Sequence, residues 1–184
     1  SFTSTHAAGS TFDVGTTKVI YTATDNDDNV TTCSFDVVVN DLNPEITCVA
    51  DQTRSTNPAI CSYKVLGNEF DPTSITDNCA VASVSWSFYD KVAEADRTGT
   101  NTLSGQVIPR GFGLGETGEV PITWTVTDNN ANETSCTFTL TIQDNEGPQI
   151  IVPGNATRYT DSYVSTYTIQ GAEFDYVEVD DNCG

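Results

Sequence analysis

Two residue classes in this 184-residue chain have the type and spacing to do chemistry: clustered acids with amides, and six cysteines. Asn40, Asp41, Asp71, Asp77 and Asp128 form one candidate set, and Asp144, Asn145, Glu146, Asp175 and Asp181 form a second. Clustered carboxylates with amide and carbonyl oxygens suit Ca²⁺, which takes roughly 6–8 oxygen ligands. The simpler alternative is that Asp and Asn here only shape turns. Single positions favour turns. The recurrence of EFD and DN in both sets, where several carboxylates would repel, favours an ion. The run Asp25-Asn26-Asp27-Asp28-Asn29 begins like an EF-hand loop but lacks its Gly and its closing Glu, so that motif is rejected.

The charge balance sets limits. Seven Lys+Arg against 26 Asp+Glu give a net charge of −19, which argues against a nucleic-acid partner and against an anionic membrane surface. No apolar run approaches the ~20 residues needed to cross a bilayer. His6 is the one His, so no Ser-His-Asp or Cys-His pair can be built in the middle of the chain, and an enzyme is not expected. Gly111, Gly113, Gly115 and Gly118 read as a loop entering a strand, not a phosphate cradle. The chain has no Met and is expected to be a piece of something longer.

The elements that must hold these residues repeat. Tyr21 to Cys33 (YTATDNDDNVTTC) aligns with Trp124 to Cys136 (WTVTDNNANETSC) at an offset of 103. Gly67 to Cys79 (GNEFDPTSITDNC) aligns with Gly171 to Cys183 (GAEFDYVEVDDNC) at an offset of 104. The expected organisation is therefore three segments. Residues 1–43 are the C-terminal part of one repeat, 44–147 a complete repeat, and 148–184 the N-terminal part of a third. Ile122, Trp124 and Val126 alternate with Thr, as do Cys136, Phe138, Leu140 and Ile142, and Ala82, Val84, Trp86 and Phe88 alternate in the same way. These are half-buried strands. With Tyr63 and Val65, and with 46–50, 91–98 and 100–109, about seven strands make an all-β, immunoglobulin-like β-sandwich with Trp86 in its core. In that topology the two acidic sets gather at the two joints between segments.

Four cysteines fall in the middle segment, and three pairings are possible. In the third segment Val152 stands for Cys48 and Ser165 for Cys61, while Cys183 keeps the place of Cys79. Joint loss is expected of partners, which favours Cys48–Cys61 and leaves Cys79–Cys136. Cys33 and Cys183 would then have partners outside the chain. Such bridges imply an oxidising, extracytoplasmic setting. Asn29, Asn132 and Asn155 head N-x-T triplets, candidate glycan sites in a eukaryotic secreted protein.

The combination of PEITC, ITDNC, GTTKVIYTATDNDDN and CSFDVVVND resembles the hyalin repeat (HYR) family, most fully over 44–144, with a long insert-like stretch from Lys91 to Gly115. The stretch VVVNDLNPEI also resembles the calcium-binding linkers of cadherins. The hyalin-repeat resemblance implies tandem Ig-like modules of large secreted or cell-surface adhesins, including those of gliding bacteria, without family catalytic residues. It implies a stalk or filament segment whose partners are neighbouring repeats, surface glycans or other adhesin proteins. Two other readings stand beside it. One is a glycan- or protein-binding module using exposed aromatics such as Phe112. The other is an accessory module of a secreted hydrolase.

Overall fold

The computed structural model describes residues 1–111 and 117–184, so Phe112, Gly113 and Gly115 lie outside the described residues. All the described regular structure is β. In chain order the strands are β1 (Phe2–Ser4), β2 (Gly15–Thr24), β3 (Val30–Val39), β4 (Glu45–Thr47), β5 (Gln52–Ser55), β6 (Ser62–Lys64) and β7 (Ser74–Thr76). They continue with β8 (Val81–Asp90), β9 (Ala95–Thr100), β10 (Val107–Pro109), β11 (Glu119–Asp128), β12 (Glu133–Gln143), β13 (Gln149–Ile151) and β14 (Glu178–Asp180).

One face of the sandwich is a five-stranded sheet in the order β5-β12-β11-β8-β9. Its strands are antiparallel except that β5 runs parallel to β12. The period-2 alternation predicts this face well. Ile122, Trp124, Val126, Phe138, Leu140 and Ile142 all point inward and are buried, while the Thr residues between them line the outer face. The two-stranded pairs β4-β7 and β6-β10 supply residues opposite. Ile46, Tyr63, Val65 and Ile108 close the core with Phe70 and Leu103.

Both Trp rings satisfy their N–H inside the core. Trp86 donates to the Thr102 carbonyl at 3.0 Å and Trp124 to the Phe70 carbonyl at 3.1 Å, which removes the cost of burying an unpaired donor. The register places Gly99, Trp86, Trp124 and Cys136 side by side in one row across four strands.

The stretch from Lys91, expected as an insert, begins with a tight hairpin. The buried Asp90 carboxylate accepts from the Val92 and Ala93 N–H groups at 3.0 and 2.9 Å. The chain turns through Glu94 at φ 53° and returns as β9 along β8. Among its described residues the middle segment carries nine strands, β4 to β12, where about seven were expected. The extra ones are short edge pieces whose sequences lack a full alternating run.

The sequence repeat is matched in the hydrogen-bonded register. Tyr21 faces Cys33 across β2-β3 as Trp124 faces Cys136 across β11-β12. Ile46 faces Ile75 across β4-β7 as Ile150 faces Val179 across β13-β14. Packing differs. Phe138 is 2% exposed but its counterpart Phe35 is 52% exposed, and Phe70 is 1% exposed against 39% for Phe174.

A Cβ on Gly99 would lie 2.3 Å from the buried Trp86 ring, whereas one on Gly147 meets nothing within 4 Å. Gly99→Ala is therefore expected to cost about 1–3 kcal/mol by overpacking. Gly147→Ala is expected to be nearly neutral. Urea unfolding followed by Trp fluorescence separates the two.

Candidate functional site

The cysteine pairing differs from the sequence expectation. Cys48 bonds Cys136, with Cα atoms 5.8 Å apart, and Cys61 bonds Cys183, with Cα atoms 4.8 Å apart. Cys33 and Cys79 are free and exposed. Cys136 does share the inward parity of Phe138. The strand lying beneath β12 is β4, however, which brings Cys48 to it. Cys61 sits in the loop before β6, at the end of the middle segment that meets 148–184, and there it finds Cys183. The expected Cys48–Cys61 and Cys79–Cys136 bridges are thus replaced, and Cys183 has its partner within the chain. The two bridges close loops of 88 and 122 residues, each worth about 4–5 kcal/mol on the chain-entropy model.

At the first joint Asp41, Asp77 and Asp128 lie around Cys79. Asp41 is the hub. One carboxylate oxygen accepts from the Cys79 thiol at 2.9 Å and Asn78 Nδ2 at 3.0 Å, and the other from Asn130 Nδ2 at 2.5 Å. The Cys79 thiol and the Asn130 amide hold the Asp41 carboxyl below the usual carboxylate range. The same contact pushes the Cys79 thiol up to about 11, with burial and the charge of Asp41 adding to it. Asp77 Oδ2 accepts from the Cys79 and Ala80 N–H groups. Asp128 accepts from the Asn130 and Asn132 N–H groups and from Asn132 Nδ2, each at 2.8 Å. Asp71 is engaged elsewhere, with Thr102 Oγ1 and the Leu103 N–H. Asn40 is exposed. Most of these oxygens accept from local N–H groups, while Asp77 Oδ1 is buried with no hydrogen-bond partner.

At the second joint Asp144 accepts from the Glu146 N–H, Glu146 from the Ala59 N–H, and Asp181 from the Cys183 N–H. Asn145 donates to Ser55 Oγ. Asp175 is exposed. Glu146, Asp180 and Asp181 line one cleft of about 540 Å³ with Asn182, whose buried Oδ1 has no hydrogen-bond partner. A shared ion would have to draw these groups together. Among the described residues no three acidic, Cys or His side chains already converge on one metal position.

Sequence reasoning missed a third feature. Glu69 Oε1 accepts from the Tyr63 hydroxyl at 2.7 Å and the Leu66 N–H at 2.8 Å, while Oε2 takes Arg54 Nη2 at 2.9 Å. The Arg54 guanidinium also lies 5.1 Å over the Phe70 ring. Arg158, Tyr167, Gln170 and Glu173 repeat the cluster, with Arg158 over Phe174. The signal was present: Arg54, Tyr63, Glu69 and Phe70 all recur 104 residues on. Burial raises the Glu69 pKa, but the Leu66 N–H, the Tyr63 hydroxyl and Arg54 outweigh it and hold the carboxyl below its ordinary 4.5. Two of the N-x-T asparagines are likewise committed, since Asn29 Nδ2 donates to Asp25 and Asn132 Nδ2 to Asp128.

Comparison with known proteins adds three findings. Residues 1–39 match the HYR domain model. Over 161 residues, 84% of this chain, the sequence is 27% identical to Hyalin of Strongylocentrotus purpuratus, of which it covers 11%. A solved structure of protocadherin gamma B7 extracellular cadherin domains 1–4 is 17% identical, at a TM-score of 0.36, over 79% of this chain and 37% of that one.

Two outcomes follow from this geometry. Glu69→Gln is expected to cost about 1–2 kcal/mol at neutral pH, as a half-buried charged acceptor is lost. Because the folded-state pKa lies below the unfolded one, that stability is present above about pH 4.5 and is lost as pH falls further. The variant should therefore show a shallower acid limb in urea titrations at stepped pH. Asp41→Asn removes the carboxylate that holds the Cys79 proton and should speed alkylation of Cys79 at pH 8 by roughly tenfold or more, as read by mass spectrometry of the labelled peptide.

Proposed function

We propose that this chain, which matches the HYR domain model over residues 1–39, has a structural, adhesion-type role: a stiff segment of an extracellular stalk or filament built from tandem β-sandwiches, with no catalytic task. The observation that carries this reading is the Cys61–Cys183 bridge, which ties a loop of the middle segment to the turn after β14 in the next. Asn182 adds non-covalent contact across the same joint, donating to Thr56 Oγ1 and the Ile60 carbonyl. A fixed joint turns a string of modules into a rod. The neighbouring segments are then the first partners, and the division at residues 43–44 and 147–148 marks the units. Disulfides of this kind fit a cell-surface or secreted location. Surface glycans or other filament proteins would engage the assembled chain.

Calcium is a separable part of this reading. Glu146, Asp180, Asp181 and Asn182 would hold it at the second joint, where an ion would offset the repulsion between carboxylates. A second reading, a ligand-binding module, has one observation in its favour. Ile60, Val92, Ala93, Val107 and Pro109 line a largely apolar cleft of about 540 Å³ beside Asp90 and Arg97. Specific binding on a glycan array would support it.

Small-angle scattering tests the stalk reading. Cys61→Ser should broaden the distribution of overall dimensions and speed proteolytic release of 148–184. Unchanged scattering would count against a rigid joint. Calorimetry on chelated protein tests the ion separately. A rise in melting temperature on adding Ca²⁺ supports it, and no shift removes calcium while leaving the bridge in place.

A further inference from the structure

We propose that Cys79 is one half of an inter-repeat disulfide, its partner a cysteine of the preceding repeat placed 122 residues N-terminal of it, as Cys61 is of Cys183. This goes beyond the stalk reading and rests on the pairing at the second joint. Cys79 and Cys183 occupy the same place. Each follows the second strand of an equivalent pair, β4-β7 or β13-β14, in the same register. Each donates its N–H at 2.9 Å to the Asp two residues before it, Asp77 or Asp181. Each lies at a joint beside an Asn that reaches into the segment before, Asn78 to Asp41 and Asn182 to Thr56 and Ile60. The difference is that Cys183 is bonded and buried, while Cys79 is exposed. The second joint thus shows, within one molecule, the equivalent sulfur already linked.

The same mapping gives Cys33 the role of Cys136, because Cys33 faces Tyr21 as Cys136 faces Trp124. Its partner would stand 88 residues N-terminal, as Cys48 does to Cys136. The third segment breaks the series. Ser165 stands in place of Cys61 and Val152 in place of Cys48, so neither of those two positions supplies a thiol there.

Each bond forms by thiol–disulfide exchange. One thiolate attacks a small-molecule or protein disulfide, giving a mixed disulfide, and the second thiolate displaces the reduced oxidant. Two thiols lose two protons and two electrons, and the oxidant leaves as two thiols.

The test is peptide mapping of the natural full-length protein, blocked with N-ethylmaleimide and digested without reduction. The expected result is Cys79 linked to a cysteine preceding Ser1. Maleimide on Cys79, or a link from Cys79 to any cysteine at or after Ser1, would overturn the proposal. A second map, of the 184-residue chain, should show Cys61–Cys183. A Cys61–Cys79 link there would make the bond internal to one repeat and would equally overturn it. Neither map depends on whether the joint is stiff, so a failure of the stalk reading would be seen separately.

Discussion

The row Gly99, Trp86, Trp124, Cys136 is the constraint on which the sandwich depends. Two indole rings side by side need space on one flank and a fixed wall on the other. Gly99 gives the space, because the ring of Trp86 occupies the volume a side chain would take. The Cys136–Cys48 bond gives the wall, and it also fastens β4 under the sheet. With the rings set, the Phe70 and Thr102 carbonyls are drawn in to accept their N–H groups. That in turn places the loop carrying Glu69 and the loop after β9. Long-range order in a chain with so few helix-forming stretches thus descends from four neighbouring residues.

Much of this was legible in the sequence, and the reasons are specific. Alternation from Ile122 to Ile142 shows which side chains face inward, because the pleat has a period of two. It does not show which strand lies opposite. Parity therefore turns Cys136 toward the core, as the structure has it, without showing that Cys48 is its partner. The joint loss of Cys48 and Cys61 in the third segment suggested that they bond each other. The structure gives each a different partner, so losing both removes one bond within a segment and one between segments. The hairpin after Asp90 was hidden for another reason: its turn rests on a single buried carboxylate, and the β9 sequence ADRTGT has no apolar pattern. The Arg54–Glu69–Tyr63 cluster was missed because Glu69 was seen only as part of a recurring EFD, although its three companions recur at the same distance.

The acidic residues also change meaning. A charge of −19 argues against nucleic acid, and the clustering of its acids at the joints suggests cations. Around Asp41, Asp77 and Asp128 the carboxylates instead collect backbone N–H groups, asparagine amides and a thiol. Each oxygen that accepts two such donors is neutralised locally by dipoles, which a turn can supply without an ion. The same hydrogen-bonded turn, T-D-N-x-x-N, recurs at Asp25 and Asp128, while Asp77 keeps one buried oxygen without a partner.

The Cys61–Cys183 bond has a mechanical consequence. When the two ends of the chain are pulled apart, tension entering at Cys61 passes through the sulfur atoms to Cys183. Residues 62–182 lie outside that load path. The strands that bury Trp86 and Trp124 are then spared the force, and only the flanking segments can lengthen. Opening this bond would return residues 137–182 to the path, while Cys48–Cys136 would still bypass 49–135, so extensibility, more than folding, is the property that this bond places under redox control.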